Sequence, residues 1–337
     1  MRFADIIGQN EIKEHLQAAI AGGKVSHAYI INGERGTGKH IMAEAFVQTL
    51  FCETHGTDAC EECSECGKIS RHNHPDVRYI IPEEGKKTIG IDVIRDQLVG
   101  DVYIKPYSRE IKVYIIPDAD QLNAACQNAI LKTIEEPPEY VRLLLLTENA
   151  ERLLPTIRSR CIRLDLKPVV GEDDRILDLL MKNYEMPEYL AASIMQFAQG
   201  NIGRALSLAS KDRFGHVIDS IFHLVSHIDN MRVYEISDAA DTLKKEASDG
   251  EIDLKEYLDL LLLWYRDVLL YKSAADPNRL YFTDRLREIM RESMIYSYED
   301  LHAIIDKIGD TGSLLEANIA PDLAFSLLMQ RMHVGSH

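Results

Sequence analysis

The chain has 337 residues, which is long for one ordinary domain and predicts two or three. Hydrophobic residues make up 46% and charged residues 27%, as is usual in globular proteins, while the formal net charge of −16 disfavours tight, unaided binding to a nucleic-acid backbone. The N-terminus lacks the apolar stretch of a signal peptide and the longest apolar run is interrupted by charges, so we expect a cytoplasmic protein that does not span a membrane.

Residues 1–166 alternate between helix-like and strand-like segments. The helix-like segments repeat an apolar residue every three or four positions, and they are 11–21, 41–51, 92–99 and 124–134. The strand-like segments are short apolar runs at 27–31, 77–81, 113–116 and 143–147. Such runs are typical of strands that are buried on both faces of a parallel sheet. The sequence therefore predicts an α/β domain in which helices cover both faces of a parallel sheet.

Strand signals fade after residue 166. Three short helix-like segments then predict a small helical domain at 167–212, and they are 173–183, 187–199 and 203–210. Long amphipathic segments follow and predict an all-helical domain at 213–337. Breaks between its helices are expected where glycine or proline occurs, at 249–250, 276–277 and 320–321.

A glycine-rich segment follows the first predicted strand and opens the next predicted helix. It has the pattern G-x-x-x-x-G-K, and its residues of interest are Gly33, Gly36, Thr37, Gly38, Lys39 and His40. Glycines allow backbone N–H groups to wrap a phosphate chain, the helix N-terminus adds positive potential, and the lysine reaches the terminal phosphates. In this strand–loop–helix context the pattern predicts a nucleotide-binding loop.

Two departures from the pattern affect magnesium. His40 stands where a serine or threonine hydroxyl should bind Mg²⁺, and a neutral imidazole is a poor ligand for that cation. After the strand at 113–116, an active ATPase has an aspartate for magnesium and often a glutamate that activates water. If Asp118 is the magnesium acid, Ala119 occupies the position of the base; if the register is shifted by one, Pro117 replaces the acid. Either register predicts a site that can hold ATP or ADP but does not favour Mg²⁺ or hydrolysis.

Four of the six cysteines lie within fifteen residues, in a polar segment. They are Cys52, Cys60, Cys63 and Cys66. Four thiolates at this spacing satisfy tetrahedral zinc without leaving an open position, so the segment 52–66 predicts a structural Zn²⁺ site. His55, His72 and His74 are alternative ligands that the spacing does not exclude.

Several segments of the chain occur, in the same order, in one protein family. They are Gly8-Gln9, the phosphate-binding loop, the cysteine segment, residues 128–138 (NAILKTIEEPP) and Ser159-Arg160-Cys161. By these motifs the chain resembles the bacterial clamp-loader AAA+ proteins over about residues 1–210. The resemblance implies a P-loop AAA+ domain at 1–166, a lid at 167–212 and a collar at 213–337 that joins the subunits of a ring.

Two kinds of subunit in that family are alternative matches for this chain. The motor (gamma/tau) subunit has a complete magnesium site and usually carries further C-terminal sequence, whereas the delta-prime subunit is about as long as this chain and has a decayed ATP site. His40 and the segment 117–119 resemble the delta-prime kind. That resemblance implies a subunit that does not hydrolyse ATP itself and that belongs to the DNA polymerase III holoenzyme, a nucleotidyltransferase complex.

The resemblance also implies roles for single residues and a set of partners. Arg160 would be an arginine finger donated in trans to ATP on a neighbouring motor subunit. Thr147 matches the first sensor position, and Arg204 lies at the second sensor position or one residue from it. The implied partners are gamma/tau motor subunits and a delta subunit in a hetero-pentameric ring, and, through that complex, the sliding clamp and primed DNA.

Two other functions remain compatible with the sequence. The chain could be an active AAA+ motor ATPase of the gamma/tau type, since the phosphate-binding glycines and Lys39 are present. The cysteine segment could be a zinc finger that binds DNA, but its many acidic residues argue against contact with phosphates.

Overall fold

A computed structural model of the chain contains two compact units. The first comprises Met1–Leu179 and Ala198–Arg204, and the second comprises Leu180–Phe197 and Ala205–His337. The residues that the structure describes are 1–83, 85–86, 88–108, 110–170, 173–186, 188–210, 213–249, 252–277, 280–317 and 319–334.

Five parallel strands form the sheet of the first unit. They are β1 (Ala28–Asn32), β2 (Val77–Tyr79), β3 (Lys112–Ile116), β4 (Val141–Thr147) and β5 (Ile162–Asp165). Their spatial order is β2-β3-β4-β1-β5, so β1 lies between β4 and β5. Asn32 of β1 is opposite Thr147 of β4, which places the ends of these two strands at the same edge of the sheet. The predicted parallel sheet is confirmed.

Most of the remaining described residues are helical. In chain order the helices are α1 (Asn10–Ala21), α2 (Lys39–Phe51), α3 (Ser64–Ser70), α4 (Ile91–Ile94), α5 (Ala124–Glu135), α6 (Pro155–Arg158), α7 (Asp173–Tyr184), α8 (Glu188–Ala198), α9 (Ile202–Ala209), α10 (Arg213–His227), α11 (Val233–Ser248), α12 (Leu254–Ala274), α13 (Leu286–Ile295), α14 (Tyr298–Glu316) and α15 (Pro321–Val334). A π-helical turn, Arg95–Val99, continues α4.

Successive strand residues enter different cores, because side chains alternate between the two faces of a sheet. Ile30 packs in the core that contains residues of α4 and α5. Tyr29 and Ile31 pack in the core that contains residues of α1 and α2. Both faces are therefore covered by helices, as predicted, and the uninterrupted apolar run in β1 follows from this two-sided burial.

Three elements of the first unit were missed by the sequence prediction: strand β5, helix α3 and the short helix α6. Strand β5 pairs with β1, and of its four residues only Leu164 is buried, so it lacks the apolar run that marked the other strands. Helix α3 begins inside the cysteine segment, where the Cys63 sulfur accepts a hydrogen bond from the backbone N–H of Cys66 and caps the helix. Neither edge exposure nor a cysteine cap follows from hydrophobic periodicity.

The second unit is helical, as predicted for the C-terminal part of the chain. The predicted breaks are found between α11 and α12, between α12 and α13, and immediately before α15, which begins at Pro321. The division of the chain after residues 166 and 212 stays a prediction. Among the helices of the described ranges, none combines the length and the apolar character needed to cross a membrane.

A buried carboxyl group lies in the core of the helical unit. The Trp264 indole N–H on α12 donates a hydrogen bond to Glu292 Oε2 on α13 over 2.8 Å. Both side chains are almost fully buried. Burial raises the pKa of Glu292 to about 8, since the charged form would be poorly solvated there.

This burial predicts a pH-dependent stability. In the unfolded chain a glutamate has a pKa of about 4.3, so between about pH 4.3 and 8 the folded state holds a proton that the unfolded state has released. The free energy of unfolding should therefore fall as pH rises through this window, by at most about 1.4 kcal/mol per pH unit from this group. Urea unfolding followed by fluorescence of Trp264, the single tryptophan, measures it.

The substitution Glu292→Gln should remove this contribution, because the amide is neutral at every pH. Glu299→Gln, which changes an exposed carboxyl group in the first turn of α14, is the control and should unfold with the pH dependence of the parent. Equal slopes in the parent chain and in Glu292→Gln would contradict the assignment of a neutral buried carboxyl.

Candidate nucleotide and zinc sites

The phosphate-binding loop connects the end of β1 to the start of α2. Gly36 and Gly38 have φ angles of +88° and +93°, a region that side chains rarely tolerate, which explains glycine at both positions. The N–H of Gly33 donates to the carbonyl oxygen of Thr147 over 3.1 Å, so the loop is joined to the end of β4. The strand–loop–helix context predicted for this segment is confirmed.

Lys39 is the first residue of α2, and its ammonium group lies inside the loop. Nζ donates hydrogen bonds to the carbonyl oxygens of Gly33 (2.6 Å) and Glu34 (3.0 Å). The Thr37 hydroxyl also donates to the Glu34 carbonyl, over 2.8 Å. Burial lowers the pKa of Lys39 and nearby carboxylates, Glu148 foremost, act to raise it. The lysine therefore satisfies the loop's own carbonyl groups.

Two parts of the chain were expected to bear on magnesium binding, namely His40 and the segment 117–119. His40 is exposed, but partial desolvation of its ring by the surrounding loop lowers its pKa more than the nearby Asp118 carboxylate raises it, which favours the neutral imidazole. After β3, Asp118 has a left-handed backbone with φ of +51° and is exposed, and Ala119 is buried. Strand β3 ends at Ile116, directly before Pro117. This position is compatible with either alignment of the acidic motif, with Asp118 or Pro117 at the position of the magnesium acid.

Asp120 is a site residue that the sequence interpretation did not assign. Its Oδ1 accepts hydrogen bonds from the Thr147 hydroxyl (2.8 Å) and from the backbone N–H of Glu148 (3.1 Å). Arg152 approaches Oδ2 at 3.8 Å. The hydroxyl at the predicted first sensor position therefore donates to a carboxylate of the same chain. A second acid two residues after Asp118 was the only signal of this contact in the sequence.

The segment at the start of α9 packs directly on the phosphate-binding loop. The Asn201 side-chain amide donates to the Arg35 carbonyl over 2.8 Å, and its Oδ1 accepts from the backbone N–H of Arg204 over 3.0 Å. The N–H of Gly203 donates to the Gly36 carbonyl over 2.9 Å. A Cβ at residue 203 would lie 2.4 Å from Gly36 Cα, so no side chain fits there.

The assignment of Arg204 as the second sensor stays a prediction, and these contacts describe its surroundings. Arg204 is brought to the loop by its backbone, whereas the preceding position is a glycine with no room for a side chain. The sequence does not single out Asn201 and Gly203 as contacting residues, because the Asn201 contact is with a residue 166 positions away.

Arg160 follows α6 on the surface of the first unit. Its Nη2 lies 3.0 Å from Glu135 Oε1 at the end of α5, and Nη1 donates to the Thr156 carbonyl over 3.0 Å. The side chain is 41% exposed. The guanidinium is thus held along its own surface, with donors free to reach another molecule.

The four predicted cysteines come together. Each sulfur of Cys52, Cys60, Cys63 and Cys66 lies within 4.8 Å of the others. Backbone N–H groups donate to three of the sulfurs, at 3.3–3.4 Å. Burial acts to raise the pKa of Cys52, but hydrogen bonds from Thr54 and Cys60 lower it, whereas burial and the neighbouring thiols Cys63 and Cys52 raise the pKa of Cys66. This donor set fits a tetrahedral metal ion such as zinc.

The three histidines considered as substitute ligands are not part of this cluster. His74 is buried and its ring binds Glu65. His72 stacks edge-on against Tyr79 at the surface, and His55 is exposed on the loop before Asp58. Within the part of the chain that the structure describes, the grouped metal ligands are the four cysteines.

Comparison with known proteins gives concordant results. A family model described as DNA polymerase III, delta subunit, matches residues 8–170. DNA polymerase III subunit gamma of Buchnera aphidicola subsp. Acyrthosiphon pisum (strain APS) is 30% identical over 271 residues, which cover 78% of this chain and 73% of that protein. The chain belongs to the clamp-loader subunit family of DNA polymerase III.

Both kinds of family member are similar to the chain. DNA polymerase III subunit tau of Bacillus subtilis (strain 168) is 30% identical over 356 residues, covering all of this chain, which spans 62% of that protein's length. Subunit delta' of the same strain is 28% identical over 315 residues, covering 92% of each chain. Sequence identity therefore establishes the clamp-loader family without separating its two kinds of subunit.

The cysteine cluster predicts a metal content that can be measured. The purified protein should contain about one zinc per chain by elemental analysis, because four converging thiolates form one tetrahedral site. Cys63→Ser should lose the metal, whereas Cys126→Ala, which changes a buried cysteine of the sheet core, should keep it. A parent protein purified without metal, or a Cys63→Ser variant that retains it, would contradict the site.

Proposed function

We propose that the chain is a delta-prime-type subunit that helps a clamp loader place a sliding clamp on primed DNA without hydrolysing ATP itself. The observation that carries this proposal is the composition of the nucleotide site. His40 replaces the magnesium hydroxyl, and the segment 117–119 lacks a complete pair of acids in either register. With an incomplete set of oxygen ligands, magnesium is held poorly and the charge that develops during phosphoryl transfer is not fully stabilised.

The contacts of the loop support the same proposal. Lys39 binds the loop's own carbonyl groups, and the Thr147 hydroxyl binds Asp120. Asn201 and Gly203 hold the outer side of the loop through hydrogen bonds. Protein groups thus hold together the segments that a bound nucleotide joins in an active site. The backbone N–H groups of the loop remain compatible with bound ATP or ADP.

Arg160 is the residue through which the subunit would act on a neighbour. Its exposed guanidinium, held by Glu135, has the geometry and charge to approach a phosphate chain at a subunit interface. We assign it as an arginine finger for ATP on a gamma/tau motor subunit. The helical C-terminal part would then join the subunits of a hetero-pentameric ring that includes delta, in the cytoplasm, and zinc would stabilise the AAA+ domain.

An active motor ATPase is the second candidate, and the identity to tau and gamma subunits favours it. The two functions differ in what the isolated chain does with ATP. The proposed subunit should show no steady-state ATPase activity above that of its Lys39→Ala variant, with or without DNA. Turnover that Lys39→Ala abolishes would assign the chain to the motor kind.

Arginine substitution tests the proposed action on a neighbour. In the reconstituted complex, Arg160→Ala should lower DNA-stimulated ATPase, because a site that loses its finger is slowed by about 10³–10⁵. Assembly should be unaffected, since an exposed ion pair contributes little to stability. The adjacent Arg158→Ala removes a guanidinium that pairs with Glu151 and should leave the activity unchanged. An unaltered rate in Arg160→Ala would refute the finger assignment.

A further inference from the structure

His74 lies between the two ends of the cysteine segment. Its side chain is 0% exposed. Its Nε2 is 2.6 Å from Oε2 of Glu65, the residue before Cys66. Its ring centroid is 4.4 Å from that of Phe51, the residue before Cys52. One buried ring therefore contacts the neighbours of the first and last metal ligands.

Hydrogen bonding fixes the tautomer of this ring. The backbone N–H of Asp76 donates to His74 Nδ1 over 3.1 Å, so Nδ1 is the acceptor. Nε2 then carries the hydrogen and donates it to the Glu65 carboxylate. Both ring nitrogens are used, so the ring connects the Glu65 carboxylate to the backbone of Asp76, and its Nε2 also lies 3.4 Å from the Ser108 hydroxyl oxygen.

Asp76 continues the connection away from the cysteines. Its carboxylate accepts hydrogen bonds from the backbone N–H groups of Tyr107 (2.6 Å) and Ser108 (2.7 Å), and from the Ser108 hydroxyl (2.7 Å). Asp76 is buried, and its own carbonyl accepts from Val113 of β3, which fixes it to the sheet. Charge-assisted bonds of this kind are the stronger hydrogen bonds in proteins.

The loop that Asp76 holds carries an exposed apolar surface. Tyr103, Ile104 and Tyr107 are 58%, 60% and 89% exposed. The opposite side of the loop is held by Lys112, whose Nζ donates to the carbonyl oxygens of Asp101 and Ile104. The backbone at 107–108 thus depends on the Asp76 carboxylate for its position.

We propose that His74 and Asp76 couple metal occupancy of the cysteine site to the conformation of the 103–108 loop. With metal bound, α3 fixes Glu65, Glu65 orients His74, and His74 and Asp76 hold the backbone of Tyr107 and Ser108. Metal loss releases α3 and, through these bonds, the apolar surface of the loop. The inference rests on zinc binding by the four cysteines.

Hydrogen exchange at the amides of Tyr107 and Ser108 measures this coupling. In the zinc-loaded protein both amides should be protected, and removal of zinc by a chelator should speed their exchange by about tenfold or more, because a released His74 no longer orients Asp76, whose carboxylate accepts their hydrogen bonds. Amides of Leu144 and Leu145, in the centre of the sheet, should stay protected and report that the domain remains folded. Loop exchange that does not respond to zinc overturns the proposal.

Two variants separate zinc binding from the hydrogen bonds that hold the loop. His74→Asn keeps an acceptor near the Asp76 N–H but cannot reach Glu65, so it should bind one zinc yet show fast loop exchange that no longer depends on zinc. Asp76→Asn loses the carboxylate and should give the same result. His72→Asn changes a surface histidine two residues away and should behave like the parent.

Metal analysis of the same samples distinguishes the possible failures. If the parent chain binds no zinc, the cysteine assignment itself is wrong and the coupling falls with it, while the proposed clamp-loader role is unaffected. If zinc is bound and His74→Asn keeps zinc-dependent protection of Tyr107 and Ser108, the coupling does not run through His74 and the proposal is overturned.

Discussion

Parallel pairing of β1 with β4 is the constraint on which the candidate nucleotide site depends. It brings Asn32 opposite Thr147 and allows the Gly33 N–H to bond the Thr147 carbonyl. The phosphate-binding loop, the first-sensor position and the acidic turn after β3 therefore meet at one edge of the sheet. That edge is where the carboxyl ends of parallel strands converge, the usual position of ligands in such folds.

Polar groups at this edge are satisfied mainly by one another. In an active P-loop ATPase, residues at the positions of Lys39 and Thr147 would be expected to face phosphate. Here the Lys39 ammonium group binds loop carbonyl groups and the Thr147 hydroxyl binds Asp120. Arg35 and Gly36 offer their carbonyl groups to Asn201 and Gly203. Buried polar groups must have partners, and a site whose partners come from the protein is stable without a ligand.

Local chemistry was readable from the sequence, and contacts between distant segments were not. The glycines predicted the phosphate-binding loop and the spacing of the cysteines predicted their cluster, because each motif lies within a short stretch of sequence. Strand β5 was missed since an edge strand with one buried residue has no apolar run. The contacts of Asn201 and His74 were not predicted for another reason: their partners, Arg35 and Glu65, are set by the tertiary fold.

The contact between Gly36 and Gly203 has an evolutionary consequence. Two backbones touch there, with space for no Cβ at residue 203. Any mutation that introduced a side chain at 203 would have to displace the phosphate-binding loop before it could offer a new functional group. A sensor side chain at residue 203 therefore cannot be acquired by one substitution alone, because the contact between the two backbones would first have to be broken.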